Sequence, residues 1–217
     1  MLFSGGLDSA VLIADAAQRG RVLPIYVSVG FAWEAEERVM AETFLAALPA
    51  ADRLAPLVHL HFDMRDVFPA DHWAVRGEPP AFDTPDEDVF IDGRNIILLS
   101  KAAVYIARAK VRRLVIGPLA GNPFPDATPE FFTAMARALS LGLAHPVAIE
   151  TPFAMLHKAD VIRRGIELKA PLELTLSCMQ PLKGQHCGRC SKCRERRDAF
   201  REAGVADPTR YRVAPPR

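Results

Sequence analysis

Ser4-Gly5-Gly6-Leu7-Asp8-Ser9 sets two adjacent glycines between hydroxyl side chains and runs at once into the apolar stretch Val11, Leu12, Ile13, Ala14 and Ala17. Glycines free of the Cβ penalty let backbone N–H groups turn toward one point. Amides gathered at a helix start, with the helix dipole behind them, make an anion site. Ser4 and Ser9 add hydroxyl donors for phosphate oxygens. Asp8 suits such a place as an orienter of donors or of a magnesium ion. The loop lacks the lysine of the G-x-x-x-x-G-K-[ST] phosphate loop, so it belongs to another kind.

The second constellation lies in the last 40 residues, where all four cysteines fall: Cys178, Cys187, Cys190 and Cys193, spaced C-x8-C-x2-C-x2-C. Thiolates two residues apart wrap one tetrahedral zinc through a tight turn, at roughly 2.3 Å per bond. Cytosolic disulfides are rare, and free core cysteines do not cluster in this way. A structural zinc site is expected, with a [4Fe–4S] cluster as its rival. His186 can stand in for a sulfur, but four thiols already complete the set. Four ligands leave no open position, so the metal is expected to staple a segment poor in apolar residues rather than to catalyse. The arginine-rich helix behind it (Arg194, Glu195, Arg196, Arg197, Arg201) is expected to present a solvated face.

The elements that must hold these groups alternate between strand and helix. Residues 7–19 read as a helix ended by Gly20. Residues 22–29 form an apolar, β-branched run without alternation, the mark of a strand buried on both faces. A helix at about 34–48 is expected to turn Val39, Phe44, Leu45 and Leu48 inward and Glu34, Glu36, Glu37 and Arg38 outward. A strand over 57–62 puts His59 and His61 on one face, read as packed or hydrogen-bonded histidines rather than a metal pair. Residues 63–92, rich in proline and acids, make a long loop of the functional or lid-like kind. Then come a helix at 94–109 starting with Arg94 and Asn95, a strand at 111–117, and a Pro/Gly-rich loop at 118–127. A helix at 129–141, a strand at 146–149 and a short helix at 157–164 closed by Gly165 follow. Such alternation means parallel βαβ units with helices on both faces, an α/β doubly wound sheet. Ligands then sit beyond the C-terminal strand ends, where loops 4–9, 28–33, 63–92 and 117–127 converge. The loop at 4–9 should follow a buried strand, for which only Met1-Leu2-Phe3 is at hand.

Half of the 217 residues are hydrophobic, enough for a sizeable core, and the length suits one α/β domain with an appendage. The expected division is 1–175 for the nucleotide-binding body and 176–217 for the zinc subdomain. Net charge is +1, from 27 basic and 26 acidic residues, which argues against a standing nucleic-acid or anionic membrane partner. No run of 18 apolar residues occurs, so a soluble, cytoplasmic protein is expected.

The motif Ser-Gly-Gly-x-Asp-Ser resembles the pyrophosphate-binding loop of the PP-loop (N-type) ATP pyrophosphatases, which split ATP into AMP and pyrophosphate. Over nearly the whole chain the pattern is similar to the 7-cyano-7-deazaguanine synthases. It carries Asp92-Gly93-Arg94-Asn95, Pro125-Asp126, Glu150-Thr151-Pro152, Lys158-Ala159-Asp160, Leu174-Thr175-Leu176-Ser177-Cys178 and the cysteine triplet. The resemblance implies an adenine nucleotide alpha hydrolase-like fold, ATP, magnesium and zinc. It also implies a reaction in which ATP adenylates 7-carboxy-7-deazaguanine, ammonia gives the amide, and a second ATP drives dehydration to the nitrile. Ser4, Asp8 and Lys158 would serve catalysis, and Ser4 to Ser9 would hold ATP. Arg94 and Asn95 would read a carboxylate or purine-like edge, and Asp126 would accept from guanine-like N–H groups. A homodimer is expected.

Two segments depart from that family. Its Tyr-Gly-Gln type stretch is here Ser28-Val29-Gly30-Phe31-Ala32-Trp33, and acidic and tyrosine residues give way to Leu119-Ala120-Gly121-Asn122-Pro123-Phe124. Both are expected to line the acceptor site, which leaves two rivals standing. One is a related ligase that adenylates a carboxylate and passes it to another amine. The other is a zinc-containing nucleotide- or nucleic-acid-binding regulator without turnover.

Overall fold

The computed structural model of the protein describes residues 1–216. Two parallel strand pairs form its spine: β1 (Ile25–Ser28) with β2 (Val58–His61), Ile25 opposite Val58, and β3 (Arg113–Val115) with β4 (Ala148–Glu150), Arg113 opposite Ala148. Met1-Leu2-Phe3 lies between the pairs. Leu2 N–H donates to Val115 O at 2.9 Å, Phe3 N–H to Ile25 O at 2.9 Å, and Ile25 N–H to Met1 O at 2.8 Å. The strand expected before the Ser4–Ser9 loop is therefore present as this short segment. Strands are shorter than their apolar runs: Pro24 lacks an N–H and interrupts the ladder, leaving Val22 and Leu54 as an isolated bridge.

The described residues also form seven α-helices: α1 (Leu7–Arg19), α2 (Glu34–Ala47), α3 (Trp73–Arg76), α4 (Arg94–Arg108), α5 (Pro129–Gly142), α6 (Lys158–Glu167) and α7 (Ser191–Ala203). Side chains alternate across the central segment. Leu2 joins a core with Leu99, Ala102 and Ile106 of α4 and Phe132 of α5. Met1 and Phe3 join the opposite core with Val11 of α1, Phe44 of α2, Ile162 of α6 and Phe200 of α7. Helices thus cover both faces of a small parallel sheet.

Three expectations need correction. Gly165 lies inside α6 instead of ending it, because a Cβ there would stand 2.9 Å from Leu172 Cδ2 and from Val11 Cγ2. Its bare Cα is what lets α6 lie against α1. In α2, Val39 faces solvent, while Glu34 and Glu37 are buried beside Ala41, Phe44 and Leu45. The buried stripe runs 34-37-41-44, at helical spacing, and the two acids on it are satisfied by β1 and the turn after it. Lastly, α7 is not a solvated face. Arg196 is fully buried, donating from Nη1 to Thr175 Oγ1 at 2.8 Å and from Nη2 to Leu172 O at 2.9 Å. The helix docks through Ala199 and Phe200 in the core and, beside them, through these guanidinium hydrogen bonds.

The segment 63–92 is pinned to the cysteine region. Arg194 Nη1 donates to Phe82 O at 2.9 Å and Thr84 O at 2.7 Å, and Nη2 to Asp86 Oδ1 at 2.7 Å. Ala81 pairs with Cys190, and Ser191 N–H donates to Pro80 O at 3.2 Å. Among the described residues no helix is long and apolar enough to cross a membrane.

Candidate active site

Local geometry explains the loop's sequence. Gly5 holds φ +76, and a Cβ on it would come within 3.1 Å of Ala41 in α2, so neither its conformation nor its space admits a side chain. Its carbonyl accepts from Leu176 N–H at 2.9 Å, which ties the loop to the strand-like approach of the cysteines. Ser4 Oγ accepts from Gly6 N–H at 3.2 Å and lies 3.2 Å from Ser9 Oγ, which donates to Gly6 O at 3.0 Å. The hydroxyls are thereby held at the mouth of α1, whose first turn also carries Asp8.

Asp8 meets Lys158, the first residue of α6, at 3.2 Å. Lys158 also pairs with Glu195 of α7, which Lys192 holds at 2.7 Å. Burial opposes the charge on Lys158, yet Asp8 and Glu195 more than offset it and keep the ammonium above its ordinary pKa. Burial also disfavours ionised Glu195, but Lys158 and Lys192 hold it down to about 2. Asp8 is pushed up, first by burial and against the pull of Lys158. Its Oδ1 is buried without a partner, and an orphaned carboxylate oxygen beside a phosphate loop fits a divalent cation such as magnesium.

Two cavities meet at this cluster. The first, about 230 Å³, opens at the strand ends beside Phe3, Tyr26, Asn95 and Gly117. The second, about 250 Å³, is walled by Trp33, Trp73, Phe124 and Met179 and reached by Lys158 and Lys192. Ser4, Gly6, Asp8, Glu37 and Arg94 border both. The four loops expected to converge do so here.

Arg94 opens α4 with its Nε buried and unpartnered, its guanidinium 6.0 Å from the Trp33 ring centre. Glu37 accepts from Tyr26 Oη at 2.7 Å, and burial raises its carboxyl to about 7, partly countered by Arg94 and by Tyr26. Asn95 lines the first cavity, and its N–H and Nδ2 both donate to the Asp126 carboxylate at 3.2 Å. Asp126 is buried beneath the start of α4 and borders neither cavity; its carboxyl is raised by burial, against the Asn95 hydrogen bonds. Leu7 is buried in the helix with its edge toward the second cavity.

The four cysteines are all buried, with their sulfurs within 4.8 Å of one another. Cys190 and Cys193 Sγ stand 3.5 Å apart, and Cys187 and Cys193 Sγ 3.8 Å apart. Tetrahedral bonds of roughly 2.3 Å separate sulfurs by about 3.8 Å, so the set fits one zinc. A four-iron cube would spread its thiolates further. His186 is turned away, accepting from Ser177 N–H at 3.1 Å, and burial first, then Arg196, lowers it to about 3. Backbone N–H groups of Gln180 and Arg189 donate to Cys178 and Cys187 sulfurs at 3.3 Å, as thiolate ligands require. His59 and His61 gather no metal set: His59 pairs with Glu42 at 3.1 Å, and His61 Nδ1 sits 3.4 Å from Ser28 Oγ.

Sequence reasoning placed Trp33 in a segment expected to line the acceptor site, but missed Glu37, Glu195, Lys192 and Trp73. Glu37 had a usable signal in the 34-37-41-44 stripe; Trp73 had none, since α3 is a single turn inside an irregular segment.

A parallel α/β body with a glycine–serine loop at its central strand, a lysine–carboxylate cluster and a four-sulfur zinc set defines an ATP-using enzyme of the PP-loop class. The chain belongs to the queuosine biosynthesis protein QueC family, whose model matches residues 1–204. It is similar to proteins named 7-cyano-7-deazaguanine synthase from several organisms. That of Methanothrix thermoacetophila is 36% identical over 97% of this chain and 96% of its own. That of Methanoculleus marisnigri is 33% identical over 97% and 96%, and that of Anaeromyxobacter dehalogenans 33% over 97% and 94%.

Proposed function

We propose that this chain converts 7-carboxy-7-deazaguanine and ammonia to 7-cyano-7-deazaguanine at the expense of two ATP. The carboxylate oxygen attacks the α-phosphate and pyrophosphate leaves. Ammonia then attacks the acyl carbon, AMP departs and a proton is shed, leaving the amide. The amide oxygen is adenylated by the second ATP, and loss of AMP with the remaining N–H protons leaves the nitrile. The oxygen removed ends on AMP, so no free water need be expelled.

The observation that carries this reading is the junction of two cavities at Ser4, Gly6, Asp8 and Arg94, with Lys158 beside it. Ser4, Ser9 and the loop amides, with Gly5, Gly6 and Leu7 setting its shape, hold the phosphates. Lys158, kept charged by Asp8 and Glu195, faces the charge that builds on the α-phosphate. Asp8, through its free Oδ1, holds magnesium, which supplies further neutralisation of phosphate charge. Arg94 and Asn95 receive substrate, and Asp126 acts through Asn95 as a positioning residue.

The fold is then the doubly wound, adenine nucleotide alpha hydrolase-like one, with 1–175 as nucleotide-binding body and 176–217 as zinc subdomain. A homodimer, a cytoplasmic place and no nucleic-acid partner complete the reading, in keeping with the net charge of +1; mass in solution tests the first. The decisive assay follows AMP release from ATP and magnesium by zinc-replete protein, with ammonium and the acid present or omitted, and the deazapurine by mass. AMP that requires the acid, alongside the nitrile, is expected. Acid-dependent AMP that stops at an adenylate or amide would favour the ligase reading, which the altered 28–33 and 119–124 segments keep alive.

A further inference from the structure

We infer that the second cavity is the acceptor chamber and receives a flat aromatic acid against the stacked pair Trp33 and Trp73, its carboxylate turned toward Arg94 and Lys158. The inference rests on the adenylation reading above and adds where the acid sits and what holds it.

The strand order separates the two cavities by role. From the central segment Met1–Phe3 the chain crosses to β1 on one side and β3 lies on the other, so the switch point falls between Phe3 and the end of β3. The first cavity occupies that crevice, with Phe3, Ile116 and Gly117 on its wall, which is where such sheets take a nucleotide. The second lies past Asp8 and Arg94, away from the crevice, under segments that do not belong to the sheet.

Its wall has a definite chemistry. The Trp33 and Trp73 rings stack at 5.6 Å and 12° between planes, and Phe124 and Met179 supply more apolar surface. Flat, polarisable surfaces of this kind suit a fused heterocycle. Where this wall meets the nucleotide crevice, three cations, Arg94, Lys158 and Lys192, stand beside two acids, Asp8 and Glu37. Arg94 Nε is buried there with no partner, and Lys158 and Lys192 reach the same space. A heterocycle with one carboxylate matches both halves, and its acid group then meets the α-phosphate at the shared boundary.

The sequence contains only two tryptophans, and both form this wall, so intrinsic fluorescence reports on the chamber directly. Zinc-replete protein is titrated with 7-carboxy-7-deazaguanine without ATP, against a free tryptophan control for absorption by the ligand. Saturable quenching is expected, and Trp73→Leu should raise the KM for the acid about tenfold or more while a fluorescent ATP analogue binds as before. Nitrile formation with unquenched tryptophans would overturn the chamber while leaving the activity intact. Quenching by ATP alone, with the acid competing, would exchange the two cavities and overturn it too. No acid binding and no nitrile, with active controls, would instead remove the reading on which it rests. Because the titration uses the unaltered protein, it stands whether or not Trp73→Leu folds.

Discussion

Glu37 is the residue whose ionisation the fold resists within the pH range of use. Burial raises its carboxyl from 4.5 to about 7, with Arg94 of α4 and the Tyr26 hydroxyl of β1 pulling the other way and Glu34 on its own helix adding to the rise. An unfolded chain sheds this proton near 4.5 and the folded one only near 7, so between those values the native state holds more protons. Its contribution to stability is complete below 4.5 and fades as pH rises through 7, by about 3 kcal/mol. Glu37→Gln keeps an acceptor for Tyr26 and cannot ionise. Denaturation midpoints at pH 5 and pH 8 should therefore fall for the wild type and change much less for the variant; identical slopes would show that the group ionises freely. Lys158 presents the opposite case, a cation locked on by Asp8 and Glu195. Lys158→Met should cut acid-dependent AMP release by roughly 10²–10³, the loss seen when one preorganised donor to a developing charge is removed. Thermal unfolding of the same variant shows whether the loss is chemical, since a collapsed midpoint would mark it as structural.

At the scale of elements, the contact between α1 and α6 depends on one missing methyl. Gly165→Ala places a Cβ 2.9 Å from both Val11 and Leu172, two side chains already buried, so neither can retreat into solvent. The helix-propensity gain of about 1 kcal/mol is outweighed by overpacking of about 1–3 kcal/mol. A lowered unfolding midpoint is expected; a raised one would mean the two helices slide apart freely. Gly165 also illustrates what a sequence conceals. Its residue type marks helix ends as well as close helix contacts, and only the partner helix, some 150 positions away, decides between them. The Ser4–Ser9 loop and the cysteine spacing were legible because their chemistry is local: a turn, a helix start, thiols within reach of one ion. The outward placement of Glu34 and Glu37 followed from charge and was wrong. Their buried stripe is visible only if spacing is weighed above residue type, and Tyr26 and the Val29 N–H that satisfy them come from the neighbouring strand and turn.

Across the whole molecule, the cysteine region governs a distant wall of the site. Arg194, one residue past Cys193, binds Phe82, Thr84 and Asp86, and Cys190 pairs with Ala81. The same segment carries Trp73, Val89 and Ile91 to the second cavity. Residues 63–92 looked in sequence like a lid because the stretch is long, acidic and punctuated by prolines; it is anchored instead by Met64, Ala74, Phe82, Val89 and Ile91 in the core and by hydrogen bonds from more than 100 residues on. Zinc therefore reaches beyond its own four ligands. Without it the buried thiols lose the bonds that hold their turns, α7 loses its start at Cys190, and Arg194 loses its fixed position over the segment. Chelation should expose 63–92 to protease before the α/β body is cut, with mass spectra placing the first cleavages there, and should redden and quench the tryptophan emission as Trp73 meets water. Arg194→Ala in the zinc-loaded protein should reproduce the early cleavage while the metal stays bound at one equivalent. Cleavage that begins instead within α1 or α4 would mean zinc supports the body as a whole, and intact 63–92 after chelation would mean the segment holds itself.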